Sequence, residues 1–331
     1  MQRSKAISLF AVVICAAISG CSGLSEQTYT HEAWAESQHP ASDKITLPEG
    51  CKAVKYDGGY VPIITTVDFT GKNCVVHDFI QRQRYHAHDS DRSNQGNPGG
   101  EGVISFYRIN NADLDLRNHL ISSAPFDDAV GITTMYMAGN TPINLRIHNG
   151  TVITPGTFGV GITLASILNF EYLLKQNLED KHFDDLSVSS YKSTRYTAEN
   201  LHIQSGGRGI IMSGADNVVR NNVIEVDGKV AVYLYGPRPI IEGNTFIIKL
   251  SDKDKATLPA ALKLRDADGA IIRNNRFIVQ SSGFTKNKAE AAINLLSSNN
   301  VLIENNIVEN TSTLLRKDEV SNATERGNQM K

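Results

Sequence analysis

A short pattern that recurs along the chain constrains its fold more than any other feature. A residue pair, Asn-Asn or Gly-Asn, interrupts the apolar runs "NVVRNNVIEV", "PIIEGNTFII", "AIIRNNRFIV" and "VLIENNIVEN". The first member of the pair lies at residues 221, 243, 274 and 305, so the intervals are 22, 31 and 31 residues. Asparagine and glycine tolerate left-handed backbone angles, so each pair predicts a tight corner between two short strands. A repeat of this length is typical of a solenoid.

A second motif keeps the same period. It is a small residue followed by a short strand of alternating apolar residues, as in "GITLAS" and "AVYLYG". These strands begin at Gly102, Gly131, Gly161, Gly209, Ala231, Ala261 and Ala292. Each unit therefore contains three short strands and no long helix, which does not fit a βαβ crossover. The pattern predicts coils that bury their apolar faces only by stacking on one another.

Together, the small-residue strands and the "RNN" and "ENN" corners resemble those of the right-handed parallel β-helix proteins, the pectate-lyase-like superfamily. The resemblance implies an all-β solenoid of about eight coils. It also implies that the corner asparagines, such as Asn221, Asn274 and Asn305, stack into a ladder inside the helix. Apolar residues at helical spacing predict one short helical insertion near residues 169–182.

The N-terminus has the three elements of a lipoprotein signal in order. Arg3 and Lys5 precede an apolar stretch, residues 7–18, that is too short for a transmembrane helix. The following "ISGC" resembles the bacterial lipobox, which implies cleavage before Cys21 and lipidation of its thiol. Ser22 after the cysteine favours the outer membrane. The alternative is an ordinary secretory signal that is cleaved nearby.

This signal divides the chain into four segments. Residues 1–20 form the signal peptide, and residues 21–44 form a polar, lipidated tether. Residues 45–310 form the β-helix domain, and residues 311–331 form a polar C-terminal tail.

Cysteine usage agrees with export. Once Cys15 leaves with the signal and Cys21 is acylated, Cys51 and Cys74 remain, 23 residues apart. Two cysteines in an oxidising compartment predict a disulfide that closes the N-terminal cap. The alternative is a pair of unpaired buried thiols.

Charge excludes several classes of partner. The formal net charge is −2, so no partner of strong opposite charge is implied and no nucleic acid is expected. The chain also lacks a P-loop and a dinucleotide-binding fingerprint. We expect a monomer whose only membrane contact is the acyl chain on Cys21.

Strand alternation predicts which side chains leave the core. Tyr233 and Tyr235 point outward from one strand, Lys263 and Arg265 from the next, and Asn294 from the third. Stacked about 4.8 Å apart, these side chains form two outward columns. Tyrosine rings pack on sugar faces and cations pair with carboxylates, so the columns predict a binding platform for a sugar chain. The alternative is an ordinary solvated sheet face with cation–π contacts.

The longest loop leads into the same sheet. Residues 81–101 contain "RYHAHDSD", in which His86 and Asp89 are candidate acid–base residues and Arg84 is a candidate substrate-binding residue. A solvated polar loop is the alternative. A divalent cation is a further alternative, at His86, His88, Asp89 and Asp91. Because their spacing matches no metal motif, we predict no metal and no other cofactor.

These features favour an envelope-anchored protein that binds or modifies a polysaccharide. The resemblance implies a lyase, a C5-epimerase or a glycoside hydrolase. For a lyase on a uronate polymer, Lys263 or His86 would be the base, Arg265 would neutralise the carboxylate, and Tyr235 would be the acid. The chain lacks the calcium-site aspartates and arginine signature of pectate lyases and the paired aspartates of polygalacturonases. A non-catalytic lipoprotein that assists exopolysaccharide export or envelope interactions is therefore the alternative.

Overall fold

Short parallel strands follow one another around each coil, and corners with left-handed backbone separate them. In a computed structural model, the first residue of each corner pair has a positive φ: 55° at Asn221, 67° at Gly243, 56° at Asn274 and 55° at Asn305. The structure describes residues 46–55, 64–66, 69–81, 102–106, 109–123, 130–134, 143–157, 159–164, 193–250, 260–281 and 291–331. All of them belong to one compact unit, Ser42–Lys331.

Only β-strands, turns and bends occur in these ranges. The strands are β1 (Lys52–Val54), β2 (Ile64–Thr66), β3 (Phe69–Val75), β4 (Phe79–Ile80), β5 (Gly102–Phe106), β6 (Ile109–Asp115), β7 (Leu120–Ser122), β8 (Val130–Thr134), β9 (Leu145–Thr154), β10 (Val160–Leu164), β11 (Tyr196–Ser205), β12 (Arg208–Ser213), β13 (Val218–Arg220), β14 (Val223–Asp227), β15 (Val232–Tyr235), β16 (Ile240–Glu242), β17 (Thr245–Leu250), β18 (Leu262–Arg265), β19 (Ile271–Arg273), β20 (Arg276–Ser281), β21 (Ile293–Leu296), β22 (Val301–Glu304), β23 (Ile307–Glu309), β24 (Leu315–Lys317), β25 (Ala323–Arg326) and β26 (Gln329–Met330).

The strands form two parallel sheets. Sheet A has 17 strands and sheet B has nine within the described residues. Most coils contribute one strand to sheet B and then two to sheet A, as β15, β16 and β17 do, and strands pair in parallel with their equivalents in the next coil. In two of the described coils a single ten-residue strand, β9 or β11, takes both sheet A positions. This arrangement confirms the predicted all-β, right-handed parallel β-helix. The predicted helix near residues 169–182 lies outside the described residues.

Aliphatic and aromatic side chains stack in register to fill the interior. Phe246 and Phe277 pair across adjacent coils with ring centroids 5.0 Å apart. The inward column of sheet B consists of Ile104, Ile132, Ile162, Ile210, Val232, Leu262 and Ile293, all buried. The strand-leading glycines fit because the chain packs closely there: a Cβ on Gly161 would lie 2.6 Å from Cγ2 of Ile203.

The asparagine ladder is present, but it is built from the second residue of each corner pair. Asn222, Asn244, Asn275 and Asn306 are buried, and each donates its amide to the next side chain at 3.0 Å. The prediction for Asn221, Asn274 and Asn305 was therefore wrong, because these residues are exposed and provide the left-handed corner instead. Side chains alternate in direction, so only one member of each pair can face the interior.

The predicted polar tail of residues 311–331 is instead a further coil. Strands β24, β25 and β26 pair in parallel with β21, β22 and β23. The inward positions change character here: Lys317 is in register with Leu295, and Glu325 with Ile303. Both charged residues are exposed, so the apolar core ends at this coil and meets water through a polar layer.

At the other end, Cys51 and Cys74 form the predicted disulfide, with Cα atoms 5.9 Å apart. The bond ties the first described turn to β3, which pairs with both β1 and β6. The described part of the chain contains no helix that is long and apolar enough to cross a membrane.

Candidate functional site

The predicted binding residues lie together on the outward face of sheet B. Tyr233 is in register with Lys263, and Lys263 with Asn294; Tyr235 is in register with Arg265. We call these five residues the sheet B strip. Its members lie on β15, β18 and β21, which are adjacent strands, so alternation placed them correctly.

Their exposure differs from the prediction. Tyr233 and Tyr235 are 0% exposed, Lys263 is 5% and Asn294 is 7%. Outward side chains on this face are therefore covered, whereas the sequence predicts an open platform. Alternation gives the direction in which a side chain points, but it carries no information about what packs over the sheet.

The two tyrosines contact each other. Their rings stack with centroids 5.0 Å apart and an interplanar angle of 4°. The Nζ of Lys263 lies 5.7 Å from the centroid of Tyr233, within cation–π range. One face of each ring is thus used inside the strip. The tyrosines therefore pack against each other beside Lys263 and do not present a free stacking surface for sugars.

Arg265 is at the more open edge of the strip. Its side chain is 19% exposed, and its nearest carboxylate, Asp266, lies 3.9 Å from Nε. The buried Nε atom has no hydrogen-bond partner among the described residues, and neither has Oγ1 of Thr163 on the same sheet face. A buried N–H without a partner is unfavourable by about 1–3 kcal/mol, so this edge can accept a group that supplies an oxygen atom.

Other predicted site residues cannot be placed. Arg84, His86, His88, Asp89 and Asp91 lie outside the described residues, and so does Cys21. In the part of the chain that the structure describes, no group of three His, Cys, Asp or Glu residues is arranged to hold a metal ion.

The sequence interpretation missed a column of alternating charge on the outward face of sheet A. It runs through Glu199, Arg220, Glu242, Arg273, Glu304 and Arg326, one residue per coil. Each precedes a left-handed corner, so the alternation is visible in "ENL", "RNN", "EGN", "RNN", "ENN" and "RGN". Ion pairs join consecutive members, for example Arg273 to Glu242 at 2.6 Å and Arg326 to Glu304 at 2.7 Å.

Glu199 is the most enclosed member of the column. Its side chain is 2% exposed and contacts both Arg146 and Arg220. Burial alone would raise the pKa of Glu199, but the two guanidinium groups outweigh it and lower the pKa of this carboxyl below its ordinary value. Glu199 is therefore a charged residue within the outward face of sheet A.

Next to it, His148 is enclosed by two carboxylates. Its Nε2 lies 3.0 Å from Oδ1 of Asp113, and its Nδ1 lies 3.8 Å from Oδ1 of Asp115. The two ring nitrogens face different carboxylates, so one metal ion cannot bind all three side chains through this imidazole. His148 itself is buried.

A comparison with family models agrees with the architecture. Residues 186–330 match the family model described as the right-handed β-helix region. This segment contains the asparagine ladder and the six-residue charge column. A search of curated proteins finds no match.

One solved structure is similar to the chain: the crystal structure of the enzymatically active domain of bacteriophage CBA120 tailspike protein 2. The identity is 12% and the TM-score is 0.37, over 80% of this chain and 38% of that chain. The chain thus spans less than half the length of this tailspike domain.

Proposed function

We propose that the chain is a lipid-anchored β-helix protein of the bacterial cell envelope that binds a polysaccharide bearing carboxylate groups. The observation that carries the proposal is Arg265, whose buried Nε has no hydrogen-bond partner among the described residues. A guanidinium binds a carboxylate through two parallel hydrogen bonds, and it needs Nε or its terminal nitrogens free to do so.

Lys263 supports the same ligand class. It lies two residues before Arg265 on β18, on the same sheet face. Closely spaced cations in a poorly solvated site attract an anion more strongly than they would in water. The amide of Asn294, next in the column, can hydrogen-bond to sugar hydroxyl groups.

A more specific proposal is that the protein also modifies the polymer that it binds. A lyase on a uronate chain would take Lys263 as base, with Arg265 neutralising the carboxylate and Tyr235 as acid. Lys263 is buried, with its Nζ 5.7 Å from the ring centroid of Tyr233, so contact with a polymer in either role requires its amine to become more exposed. His86 and Asp89 stay candidates for acid–base work, and a non-catalytic role in exopolysaccharide export is the alternative.

Anchoring rests on the sequence. The charged start, the short apolar stretch and "ISGC" favour acylation of Cys21, and Ser22 favours the outer membrane. A tether of residues 21–44 would let the β-helix reach a polymer beyond the headgroups.

The test uses the full chain in detergent and matched pairs of polymers. Each uronate polymer is compared with its own carboxyl-reduced form, so that only the charge changes. We expect binding to at least one uronate polymer and its loss after reduction. Binding to no uronate polymer, or equal binding to both forms, would contradict the proposal. Absorbance from unsaturated ends in the same samples reports whether the protein is a lyase.

A further inference from the structure

We call the outward face of β11, β13, β16, β19, β22 and β25 the ladder face; it is distinct from the buried asparagine ladder. It carries two parallel columns of side chains. One is the charge column described above. The other, two residues earlier on each strand, consists of Thr197, Val218, Ile240, Ile271, Leu302 and Thr324. Its four central aliphatic residues are half-buried rather than covered. An aliphatic stripe beside a charged stripe is therefore presented at the surface.

Each column is complementary to its own reversal. The charge column runs Glu-Arg-Glu-Arg-Glu-Arg, so its reversal places an arginine opposite every glutamate. The aliphatic column has threonine at both ends and Val, Ile, Ile and Leu between them. A surface with this property is self-complementary under a two-fold rotation about the strand direction, which reverses the coil order and keeps each column opposite itself.

We infer that the ladder face is where two copies of the chain associate, antiparallel, with the two-fold axis between the coils of β16 and β19. Glu242 then lies opposite Arg273 of the second copy, and Ile240 opposite Ile271.

The ion pairs within one copy leave the arginines of the charge column able to pair with a second copy. Arg220, Arg273 and Arg326 pair with a glutamate on a neighbouring coil, yet their side chains are 43%, 43% and 65% exposed. An arginine has five N–H donors, so each can keep its partner and still accept a second carboxylate from the other copy. Glu199 is enclosed already and contributes least.

The size of the face sets the expected strength. Six strands at about 4.8 Å spacing span roughly 24 Å, and a three-residue strand spans about 10 Å. This footprint is well below the roughly 800 Å² per partner of a standard stable interface, so the dimer is weak and concentration-dependent. The inference differs from the monomer expected from the sequence, and it does not depend on polysaccharide binding.

Two double variants test the face by charge. In the antiparallel dimer, Ile240→Lys with Ile271→Lys places like charges opposite each other twice, whereas Ile240→Lys with Ile271→Glu places opposite charges there. Sedimentation equilibrium of the full chain in density-matched detergent should show concentration-dependent dimers for the wild type and the Lys/Glu variant. The Lys/Lys variant should be monomeric, with dimerisation weakened at least tenfold. A wild type that is monomeric at all concentrations, or a Lys/Lys variant that associates like the wild type, would overturn the inference.

Cysteine cross-linking tests the orientation. Val218 and Leu302 lie three coils apart in one copy but opposite each other across the axis, so Val218→Cys with Leu302→Cys should give a disulfide-linked dimer on oxidation. The matched control is Val223→Cys with Ile307→Cys, also three coils apart but on the neighbouring strands of sheet A. Equal cross-linking of the two variants, or none in the first, would contradict the antiparallel arrangement. Thermal unfolding of every variant checks that the fold is retained.

Discussion

The amide Nδ2 of Asn244 donates a hydrogen bond to Oδ1 of Asn275, 3.0 Å away on the next coil. The same oxygen accepts from the backbone N–H of Asn244, and Nδ2 also donates to the carbonyl of Val219. Each ladder amide is thus satisfied on both sides within a buried corner. Because buried polar groups are favourable only when they are paired, the ladder holds the coils at one spacing and in one register.

Replacing a ladder residue should therefore destabilise the fold. Asn275→Leu removes the acceptor for two donors of Asn244 and the Nδ2 donor to Asn306, so the free energy of unfolding should fall by about 1–3 kcal/mol. The matched control is Asn274→Gly at the exposed left-handed position, which should change it by about 0.5 kcal/mol or less. Equal losses in chemical denaturation would show that the ladder is not the stabilising element.

The corner pairs show what sequence reasoning could and could not reach. The period and the strand starts follow from spacing, because a solenoid repeats its local chemistry once per coil. The pairing of Cys51 with Cys74 follows instead from their being the two cysteines left in an exported chain. Which asparagine faces inward does not follow from spacing, since both residues of a pair can adopt a left-handed corner. A preference of glycine for the first position, as in Gly243 and Gly327, was the available signal.

For the sheet B strip, the sequence predicts the direction of the side chains but not their burial. Direction and register of Tyr233, Lys263 and Asn294 could be predicted from alternation, but their burial could not. Burial depends on what packs over the sheet, and strand alternation carries no information about that. The polar segment after Thr311 was misread for a related reason: its inward positions are charged because they end the core, so it lacks the apolar pattern of the other coils.

Close packing at the strand starts gives a second prediction. In Gly161→Ala, the new methyl group would lie 2.6 Å from Cγ2 of Ile203 and 2.7 Å from the backbone oxygen of Gly209. Such overpacking should lower the free energy of unfolding by about 1–3 kcal/mol. Ala261→Gly, in the same column, should cost only about 0.5–1 kcal/mol because it adds chain entropy without a clash. A stabilised Gly161→Ala protein in thermal melts would contradict this packing.

Stability should depend on pH through Glu225. Burial would raise the pKa of this carboxyl, but Lys249 and His202, at 2.6 and 2.7 Å, outweigh it and lower the pKa from its ordinary value of 4.5 to about 2. A lowered folded-state pKa gives stability that is present above the unfolded value and is lost as the pH falls toward 2. Lys249→Met should raise the pKa of Glu225, as read by NMR titration, and should reduce this acid-dependent loss.

The control for this prediction is Glu225→Gln, which removes the titrating group. Its free energy of unfolding should vary less between pH 5 and 2 than that of the wild type. An unchanged acid profile in both variants would exclude Glu225 as a contributor.

The disulfide should stabilise the N-terminal coils. Replacing both Cys51 and Cys74 with serine opens a loop of 23 residues, and the free energy of unfolding should fall by about 3 kcal/mol. Reducing agent should destabilise the wild type by a similar amount and leave the double variant unaffected. Free thiols at both positions in mass spectrometry of the exported wild type would contradict the bond.

Membrane anchoring should depend on one thiol. Cys21→Ser removes the acylation site, so the protein should lose its lipid and leave the detergent phase of a phase-partitioning assay. Ser22→Ala is the matched control and should keep both. A Cys21→Ser protein that partitions like the wild type would rule out the lipoprotein signal.

The most direct test of the proposed function compares two arginines that differ in their partners. Arg265 has a buried Nε with no hydrogen-bond partner among the described residues, whereas Arg238 binds both carboxylate oxygens of Asp216, at 2.7 and 3.1 Å. Affinity of the full chain for a uronate polymer should fall about 10- to 100-fold in Arg265→Ala. It should stay within about twofold in Arg238→Ala, with unchanged melting temperatures checked for both. Wild-type affinity in Arg265→Ala would contradict the proposal that this arginine receives a carboxylate.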